Sequence, residues 1–321
     1  MVSRVGGFLA IVALLTFALD AAITAGLRRL PASPFGITNR IVEGTINANI
    51  VISGSSRAAS HYDPRIIQKM TGEKAFNLGR NGSQTDMQLA VLKAYLKHNR
   101  KPAIVVHNLD AFTFQTTREV YNPAQYVPYL RENDLYQPLR KINPQIWKSR
   151  YLPLYGYVAE DMSFAWIRGL RAFLPGQQSN ELIDGYDPRP AKWTEDFARY
   201  KTTLRAPVRW DIEPEGIRLM EDLVRVCREH GIGLIFVYSP EYREMQLLTA
   251  NRTDVFAAFQ RVASGVVPIW DYSAWPHAND SSYFNNSQHL NEIGATTFST
   301  DFAKRLRQYL EARDPELRAA R

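Results

Sequence analysis

Residues 49–57 have the sequence NIVISGSSR, in which a short apolar run ends at a glycine and two serines. The apolar residues are β-branched and too few for a helix, so they predict a buried strand. Gly54 and the serines predict a tight turn, and a helical pattern starts soon afterwards at Pro64. This stretch therefore predicts a strand, a turn that carries hydroxyl groups, and then a helix.

Four similar apolar runs follow along the chain, and helical segments lie between them. Short, fully apolar strands that alternate with helices indicate a parallel sheet covered on both faces. We therefore predict an α/β fold, a doubly wound α/β/α sandwich. The four runs are 75–78, 103–106, 234–238 and 266–271, and the clearest helical segments are 64–70, 85–98 and 294–310.

One region, 121–209, interrupts this alternation and is rich in tyrosine, tryptophan and proline. We interpret about 115–209 as a long insertion after the third strand of a domain that spans 46–321. Large aromatic side chains fill irregular insertions well, so packing alone would explain them. The alternative is a cap that contacts glycan or lipid, because ligands of such folds bind at the carboxyl edge of the sheet.

The N-terminal segment has a different character. An apolar run from 5 to 19 is interrupted by Asp20 and continues to Leu27, before two arginines. A run of about 23 residues can span a bilayer, so we predict a signal anchor over 1–29. A cleaved signal peptide and a buried soluble helix are the alternatives. Asp20 would either face a partner helix or lie at the membrane interface.

Residues 30–45 follow the anchor and contain prolines and a glycine near their start, which is typical of a linker. The net charge of the whole chain is +7, and the basic residues are spread rather than gathered into a block. A solvated surface explains this spread, and attraction to an anionic membrane or glycan is the alternative. We expect no nucleic-acid partner.

Motifs for cofactors are missing from the sequence. It has no Gly-x-Gly-x-x-Gly and no Walker A sequence, and no two histidines share the spacing of metal ligands. We therefore expect neither a cofactor nor a metal. Cys227 is the only cysteine, so no intrachain disulfide can form, and its apolar helical context predicts a buried thiol.

Four polar loops carry the candidate chemistry. Ser56 follows the first strand, Gly82 follows the second, Asn108 follows the third, and His289 precedes the last helix. Each loop alone is typical of an ordinary turn. Because the carboxyl ends of parallel strands converge on one crevice, we expect these four residues to meet there.

These loops resemble the motifs of the SGNH (GDSL-type) hydrolase superfamily, particularly its membrane-anchored bacterial branch, which includes DltD and alginate O-acetylation proteins. Gly54-Ser55-Ser56 resembles the Gly-Asp-Ser block that carries the nucleophile, and His289 resembles the histidine of the last block. The resemblance covers about 48–110 and 230–310. It implies an SGNH-like (flavodoxin-like) sandwich in which Ser56 is the nucleophile and His289 the base.

The same resemblance implies an oxyanion site. Its donors would be the N–H groups of Ser56 and Gly82, together with the amide of Asn108. The sequence around Asn108 departs from the usual Gly-x-Asn-Asp of the third block.

The last block also departs from the family pattern, because Asn286 stands where an aspartate is usual. An amide can orient an imidazole but cannot offset its positive charge as a carboxylate does. Three outcomes follow. Asp280 or Asp110 reaches His289, a weaker serine–histidine pair works without a carboxylate, or the site binds a ligand without turnover.

The resemblance implies a serine esterase or O-acyltransferase that acts on an acyl ester of a cell-envelope glycan through a covalent acyl-enzyme. The alternative is an inactive envelope protein that binds glycan or acts as a scaffold for a membrane acyltransferase. Expected partners are the glycan or acyl-ester substrate, the membrane through the N-terminal helix, and a membrane-bound acyltransferase. We expect the domain to lie on the periplasmic or other extracytoplasmic side.

Overall fold

The computed structural model describes residues 2–31, 34–159, 164–174, 183–190 and 192–313. The chain divides into two compact units, which we call the sheet unit and the helical unit. The sheet unit comprises Ile46–Leu92, Asn99–Thr117 and Ile183–Arg321, and the helical unit comprises Met1–Thr45, Lys93–His98 and Arg118–Leu182.

Five described strands form an all-parallel sheet in the order β2-β1-β3-β4-β5, which confirms the predicted α/β class. Ser53 is aligned with His107, and His107 with Phe236, so β1, β3 and β4 end level with one another. Their carboxyl ends therefore lie at one edge, where the loops that follow them meet. The strands are β1 Ile50–Ser53, β2 Ala75–Asn77, β3 Ile104–Asn108, β4 Gly233–Tyr238 and β5 Ile269–Asp271.

Fourteen α-helices lie in the described residues, and three short 3₁₀ helices accompany them. The α-helices are α1 Val2–Leu27, α2 Phe35–Val42, α3 Ser56–His61, α4 Pro64–Thr71, α5 Thr85–His98, α6 Asn133–Ile142, α7 Trp147–Tyr151, α8 Tyr155–Ala159, α9 Ala165–Arg171, α10 Asp196–Thr203, α11 Pro214–Glu229, α12 Arg243–Leu247, α13 Arg252–Ala263 and α14 Glu292–Arg313. The 3₁₀ helices are Pro123–Tyr129, Pro144–Ile146 and Ser281–Tyr283.

The core of the sheet unit joins the strands to the last helix. All of β1 is buried, and α14 packs against α3 and α4. Phe298 and Phe302 of α14 contact the ring of Tyr62, just after α3, edge to face at 5.2 Å each. This packing joins the two ends of the unit, because α3 follows β1 and α14 closes the chain.

The fifth strand is shorter than the predicted run 266–271. Val266 is 83% exposed, and its N–H donates to the carbonyl of Ala263 in the turn that closes α13. The chain joins the sheet only at Ile269. The predicted run was too long because Val266, although apolar, belongs to the turn before the strand.

The helical unit contains the apolar N-terminal helix. Among the described residues, the stretch Arg4–Leu27 of α1 is long and apolar enough to span a membrane. Its first two thirds are largely exposed, whereas Ile23, Gly26 and Leu27 near its end are buried. A side chain at Gly26 would overlap the backbone of Gly169 in α9, so the two helices approach closely through glycines.

Residues 30–45, predicted as a linker, instead contain the packed helix α2, of which six residues are buried. Asn39 explains this packing, because its amide donates to the carbonyls of Leu27 and Leu30 at 3.0 and 2.9 Å. Its oxygen accepts a hydrogen bond from Tyr129 at 2.5 Å. The carbonyl of Leu27 at the end of α1, and that of Leu30 just after it, thus accept hydrogen bonds from a side chain of the segment predicted as a linker.

Candidate active site

Ser56 lies at the first position of α3, directly after the turn that ends β1. Gly54 has a φ of 145°, and a Cβ there would lie 2.9 Å from the Cβ atoms of Ala58 and Asn108, so only glycine fits the turn. The hydroxyl of Ser55 accepts the N–H of Arg57 at 3.3 Å and caps the helix. Ser56 itself is half-buried, so its hydroxyl stands at the carboxyl edge of the sheet.

His289 is held by a short closed loop. Phe284 and Leu290 form an antiparallel bridge, and the N–H of Asn285 donates to the carbonyl of His289 at 2.8 Å. Inside this loop, the Oδ1 atom of Asn286 accepts the backbone N–H groups of Gln288 and His289 at 3.0 Å each. The loop therefore fixes both the backbone of His289 and the oxygen that faces its ring.

The structure brings Ser56, His289 and Asn286 into one hydrogen-bonded row. The Nε2 atom of His289 is 2.7 Å from the Oγ of Ser56, and its Nδ1 is 2.9 Å from the Oδ1 of Asn286. Because Oδ1 already accepts two N–H groups, it is an acceptor, and Nδ1 must carry the proton. The lone pair of Nε2 then faces the serine hydroxyl, which is the tautomer that a general base requires.

Neither of the two predicted carboxylates takes the place of Asn286. Asp280 is exposed and accepts the N–H of Ser282 at 2.9 Å, a bond that caps a 3₁₀ helix. Hydrogen bonds from the hydroxyl and then the backbone of Ser282 lower the pKa of Asp280. Asp110 is buried against Arg57, with its Oδ1 3.2 Å from Nη1. Both carboxylates are thus engaged elsewhere, and an amide is the group that orients His289.

Burial, together with the nearby guanidinium groups of Arg189 and Arg57, lowers the pKa of His289 from 6.5 to about 3. The ring is therefore neutral at pH 7 and able to accept a proton. The same surroundings disfavour the imidazolium that forms when it does so. Proton transfer here receives less electrostatic help than in a Ser-His-Asp site.

The predicted oxyanion donors have different surroundings. Gly82 is exposed in a turn with a φ of 65°, which glycine adopts without strain. Asn108 is 1% exposed, its Oδ1 accepts the hydroxyl of Tyr62 at 2.8 Å, and its amide donates to the carbonyl of Leu109 at 3.2 Å. One N–H of the Asn108 amide is thus engaged inside the core, and the role of this amide as an oxyanion donor stays a prediction.

Sequence reasoning missed the contacts of Arg57. This buried side chain donates to the carbonyl of Leu109 at 3.4 Å and to Asp110, and its other nitrogen donates to the carbonyl of Ser239. Its guanidinium also lies 4.6 Å from the ring centroid of Tyr238. Arg57 therefore ties α3, and with it Ser56, to the ends of β3 and β4.

Sequence reasoning assigned no role to His61, yet it supports the loop of His289. Its Nε2 accepts the N–H of Leu290 at 3.0 Å, so Nδ1 carries the proton and donates to Ser239 at 2.9 Å. Burial lowers the pKa of His61 well below 6.5, with Arg57 and His289 adding to the effect. A neutral His61 thus holds the residue next to His289.

A second missed group lies at the loop after β2. Arg189 donates to the Oδ1 of Asn81 at 2.7 Å, and the amide of Asn81 donates to Asp187 at 3.0 Å. The carbonyl of Arg189 accepts the N–H of Glu292, just after the loop of His289. This cluster connects residues near Gly82 to the histidine loop, and only a contact map of the folded chain could have found it.

No group of three or more histidine, cysteine, aspartate or glutamate residues suited to a metal ion occurs in the described part of the chain. No protein-family model and no curated protein matches this sequence.

Proposed function

We propose that the chain is a serine-dependent esterase or O-acyltransferase that works through an acyl-enzyme. The observation that carries the proposal is the row of contacts from Ser56 to His289 and on to Asn286, at 2.7 and 2.9 Å. A nucleophile, a base and an orienting group within hydrogen-bond reach form the arrangement used in nucleophilic acyl transfer.

In the proposed reaction, the Oγ of Ser56 attacks the carbonyl carbon of an ester while its proton passes to Nε2 of His289. The tetrahedral intermediate then collapses, the bond to the alcohol oxygen breaks, and that oxygen takes the proton from Nε2. In the second half, water or a sugar hydroxyl gives a proton to Nε2 and attacks the acyl carbon. The bond from that carbon to the Oγ of Ser56 then breaks, and Oγ takes the proton back from Nε2. The backbone N–H groups of Ser56 and Gly82 are the proposed oxyanion donors.

Asn286 gives this site the character of a Cys-His-Asn arrangement with serine as the nucleophile. The amide fixes the tautomer of His289 without adding negative charge. We therefore expect turnover to be slower than with a carboxylate, and the base to stay active in acidic solution.

The fold supports membership of the SGNH-type hydrolases. The strand order 2-1-3-4-5 is that of flavodoxin-like, doubly wound folds, whose ligands bind beyond the carboxyl ends of the strands. Ser56 stands at that edge, and the segment Arg118–Leu182 leaves the sheet unit after β3 as an insertion would. From the family resemblance, the proposed substrate is an acyl ester of a cell-envelope glycan, with a membrane-bound acyltransferase as a further partner.

We also propose that α1 remains in the protein as a membrane anchor and that the sheet unit faces the extracytoplasmic side. Asp20 accepts the N–H of Leu154 at 2.8 Å, Thr24 bonds the hydroxyl of Tyr157 at 2.7 Å, and Arg28 donates to the carbonyl of Pro128 at 2.6 Å. Cleavage of a signal peptide after the apolar run, at Leu27, would remove Asp20 and Thr24 and would cut the chain next to Arg28. The contacts thus favour an uncleaved anchor.

Labelling with a fluorophosphonate probe tests the enzyme. We expect the full-length protein in detergent to be labelled on Ser56, as located by peptide mass spectrometry, and labelling to disappear in Ser56→Ala and His289→Ala. Ser282→Ala, which changes an exposed serine outside the row, should be labelled like the original protein.

A catalytically silent, glycan-binding protein is the second candidate, and the amide of Asn286 favours it. Folded protein that is not labelled, and that does not release nitrophenol from a nitrophenyl ester, would support this candidate and reject the enzyme.

A further inference from the structure

A cavity of about 350 Å³ lies inside the helical unit, at the C-terminal part of α1. One wall is formed by α1 between Phe17 and Arg28, and the other by residues around Pro128 and Ser149. Cavities that hold small ligands measure roughly 300–1,000 Å³, so this one has room for a headgroup rather than a whole lipid. It lies outside the sheet unit and takes no part in the proposed chemistry of Ser56.

The charges around this cavity are strongly positive. Three arginines line it, Arg28, Arg131 and Arg150, against one carboxylate, Asp20. Asp20 already accepts the N–H of Leu154 at 2.8 Å. Among the described residues, no carboxylate pairs with Arg28, Arg131 or Arg150, so no described acidic group neutralises their charges.

The arginines are also oriented by neutral groups. Arg28 donates to the carbonyl of Pro128 at 3.1 and 2.6 Å, and Arg150 donates to the amide oxygen of Asn133 at 3.3 Å. Ser149, which also lines the cavity, has a buried hydroxyl oxygen without a partner in the described chain. A planar guanidinium binds phosphate oxygens well, and a hydroxyl can donate to another of them.

The depth of the cavity along α1 matches a membrane interface. At about 1.5 Å per residue, the helix from Arg4 to Leu27 covers about 35 Å, enough to cross the roughly 30 Å of a hydrocarbon core. Arg28 thus comes just beyond the apolar part, while Phe17 and Ala21 border the cavity on its apolar side.

The remaining surface of the helical unit supports the same location. Large apolar and aromatic side chains are exposed on its short helices, and Tyr151 and Phe164 are each 62% exposed. Aromatic residues of this kind are enriched where membrane proteins meet lipid headgroups. Other exposed members of this surface are Trp147, Leu152, Val158, Trp166, Phe173 and Leu174.

We infer that this cavity binds the phosphate headgroup of an anionic phospholipid, whose acyl chains extend along α1 past Phe17 and Ala21. Arg28, Arg131 and Arg150 bind the phosphate, and the hydroxyl of Ser149 donates to it. The bound lipid fixes the height of the helical unit at the membrane surface.

Native mass spectrometry of the full-length protein in detergent tests this site, with dioleoyl phosphatidylglycerol as the ligand. We expect one lipid to bind with high affinity, and Arg131→Gln to weaken it about tenfold, the effect of one lost charge-assisted hydrogen bond. Arg140→Gln, an exposed arginine of the same unit outside the cavity, is the matched control and should bind normally. Phosphatidylcholine should bind about tenfold more weakly, because its choline offsets the phosphate charge.

A second pair of variants guards against effects on folding. Ala21→Trp fills the cavity from α1 and should abolish the high-affinity lipid, whereas Ala10→Trp, on the exposed part of the same helix, should not. Glycerol 1-phosphate in place of the lipid should bind far more weakly, because it lacks acyl chains. Equal affinities in Arg131→Gln and Arg140→Gln, or high-affinity lipid retained in Ala21→Trp, would overturn the inference.

Discussion

Two polar clusters of the sheet unit share neighbouring residues but differ in exposure. The catalytic row, Ser56, Asn286 and His289, is half-buried, whereas the group that we call the buried clamp, Arg57, His61, Asp110 and Ser239, is fully enclosed. Ser56 and Arg57 are adjacent in the chain, as are His289 and Leu290, whose N–H binds His61. Ser56 and His289 belong to the row, whereas Arg57 is part of the clamp and Leu290 is bound by it. Residues that act in the reaction are therefore adjacent in the chain to residues that hold them in place.

The difference suggests distinct consequences of mutation. A group in the row is used in the reaction and leaves little behind when it is removed. A group in the clamp satisfies other buried polar atoms, and its removal leaves them without partners. Variants of the row should therefore lose activity with little loss of stability. Variants of the clamp should lose stability, and they should lose activity only through the residues that the clamp holds.

The largest effect on stability is expected for Arg57→Met. Loss of the guanidinium removes the charged partner of the buried Asp110 and one donor from each of three backbone carbonyls, those of Leu109, Ser239 and Pro240, which typically costs about 3–5 kcal/mol. We expect the apparent melting temperature of the purified protein to fall by about 10 °C. Arg65→Met is the matched control, because Arg65 pairs with Asp63 at 2.7 Å but is 57% exposed, and such pairs contribute about 1 kcal/mol or less. Similar losses in both variants would contradict the distinction between clamp and surface.

The next prediction concerns how catalysis by the row depends on pH. The low pKa of His289, about 3, keeps the base neutral in mild acid, so kcat/KM for a nitrophenyl ester should hold steady from pH 7 to pH 5. Asn286→Asp places a carboxylate at Nδ1, favours the imidazolium, and should raise this pKa by about 1–3 units. The acid limb of the pH profile should then move to higher pH, and kcat/KM at neutral pH should rise.

The titration of His289 also makes the free energy of unfolding depend on pH. Between about 3 and 6.5, the unfolded chain binds a proton at His289 that the folded chain does not. Stability should therefore fall as the pH falls through this range. An unchanged acid limb in Asn286→Asp would show that Asn286 is not the group that governs His289.

The smallest effect is expected for His61→Phe. The variant keeps an aromatic ring in the core but removes the acceptor for the N–H of Leu290, so the loop of His289 loses one anchor. We expect kcat to fall about fivefold to tenfold, the equivalent of about 1–1.5 kcal/mol, with KM nearly unchanged. His107→Phe is a fitting control, since His107 is equally buried and its nearest polar partner is Ser53 at 3.3 Å. A larger effect in the control would show that the change reports core packing rather than positioning.

Much of the sheet unit could be predicted from local sequence. The runs that became β1 to β4 are short and apolar, and a buried strand between helices has few other ways to satisfy its backbone. The link between Ser56 and His289 was also anticipated, because the carboxyl ends of parallel strands converge. The segment before the domain was misjudged, since its helix packs through Asn39, whose oxygen accepts a hydrogen bond from Tyr129, 90 positions away in the chain.

The sequence by itself determined where the first four strands lie, why a glycine precedes the serine turn, and which serine and histidine stand at the sheet edge. These features follow from backbone sterics and from the period of apolar residues, which act over a few positions. Only the tertiary structure decided that Asn286, and not Asp280 or Asp110, faces His289, and that Arg57 is buried. A buried charge or a fixed tautomer depends on partners supplied by distant segments, and the free energy of those contacts exists only once the chain has folded.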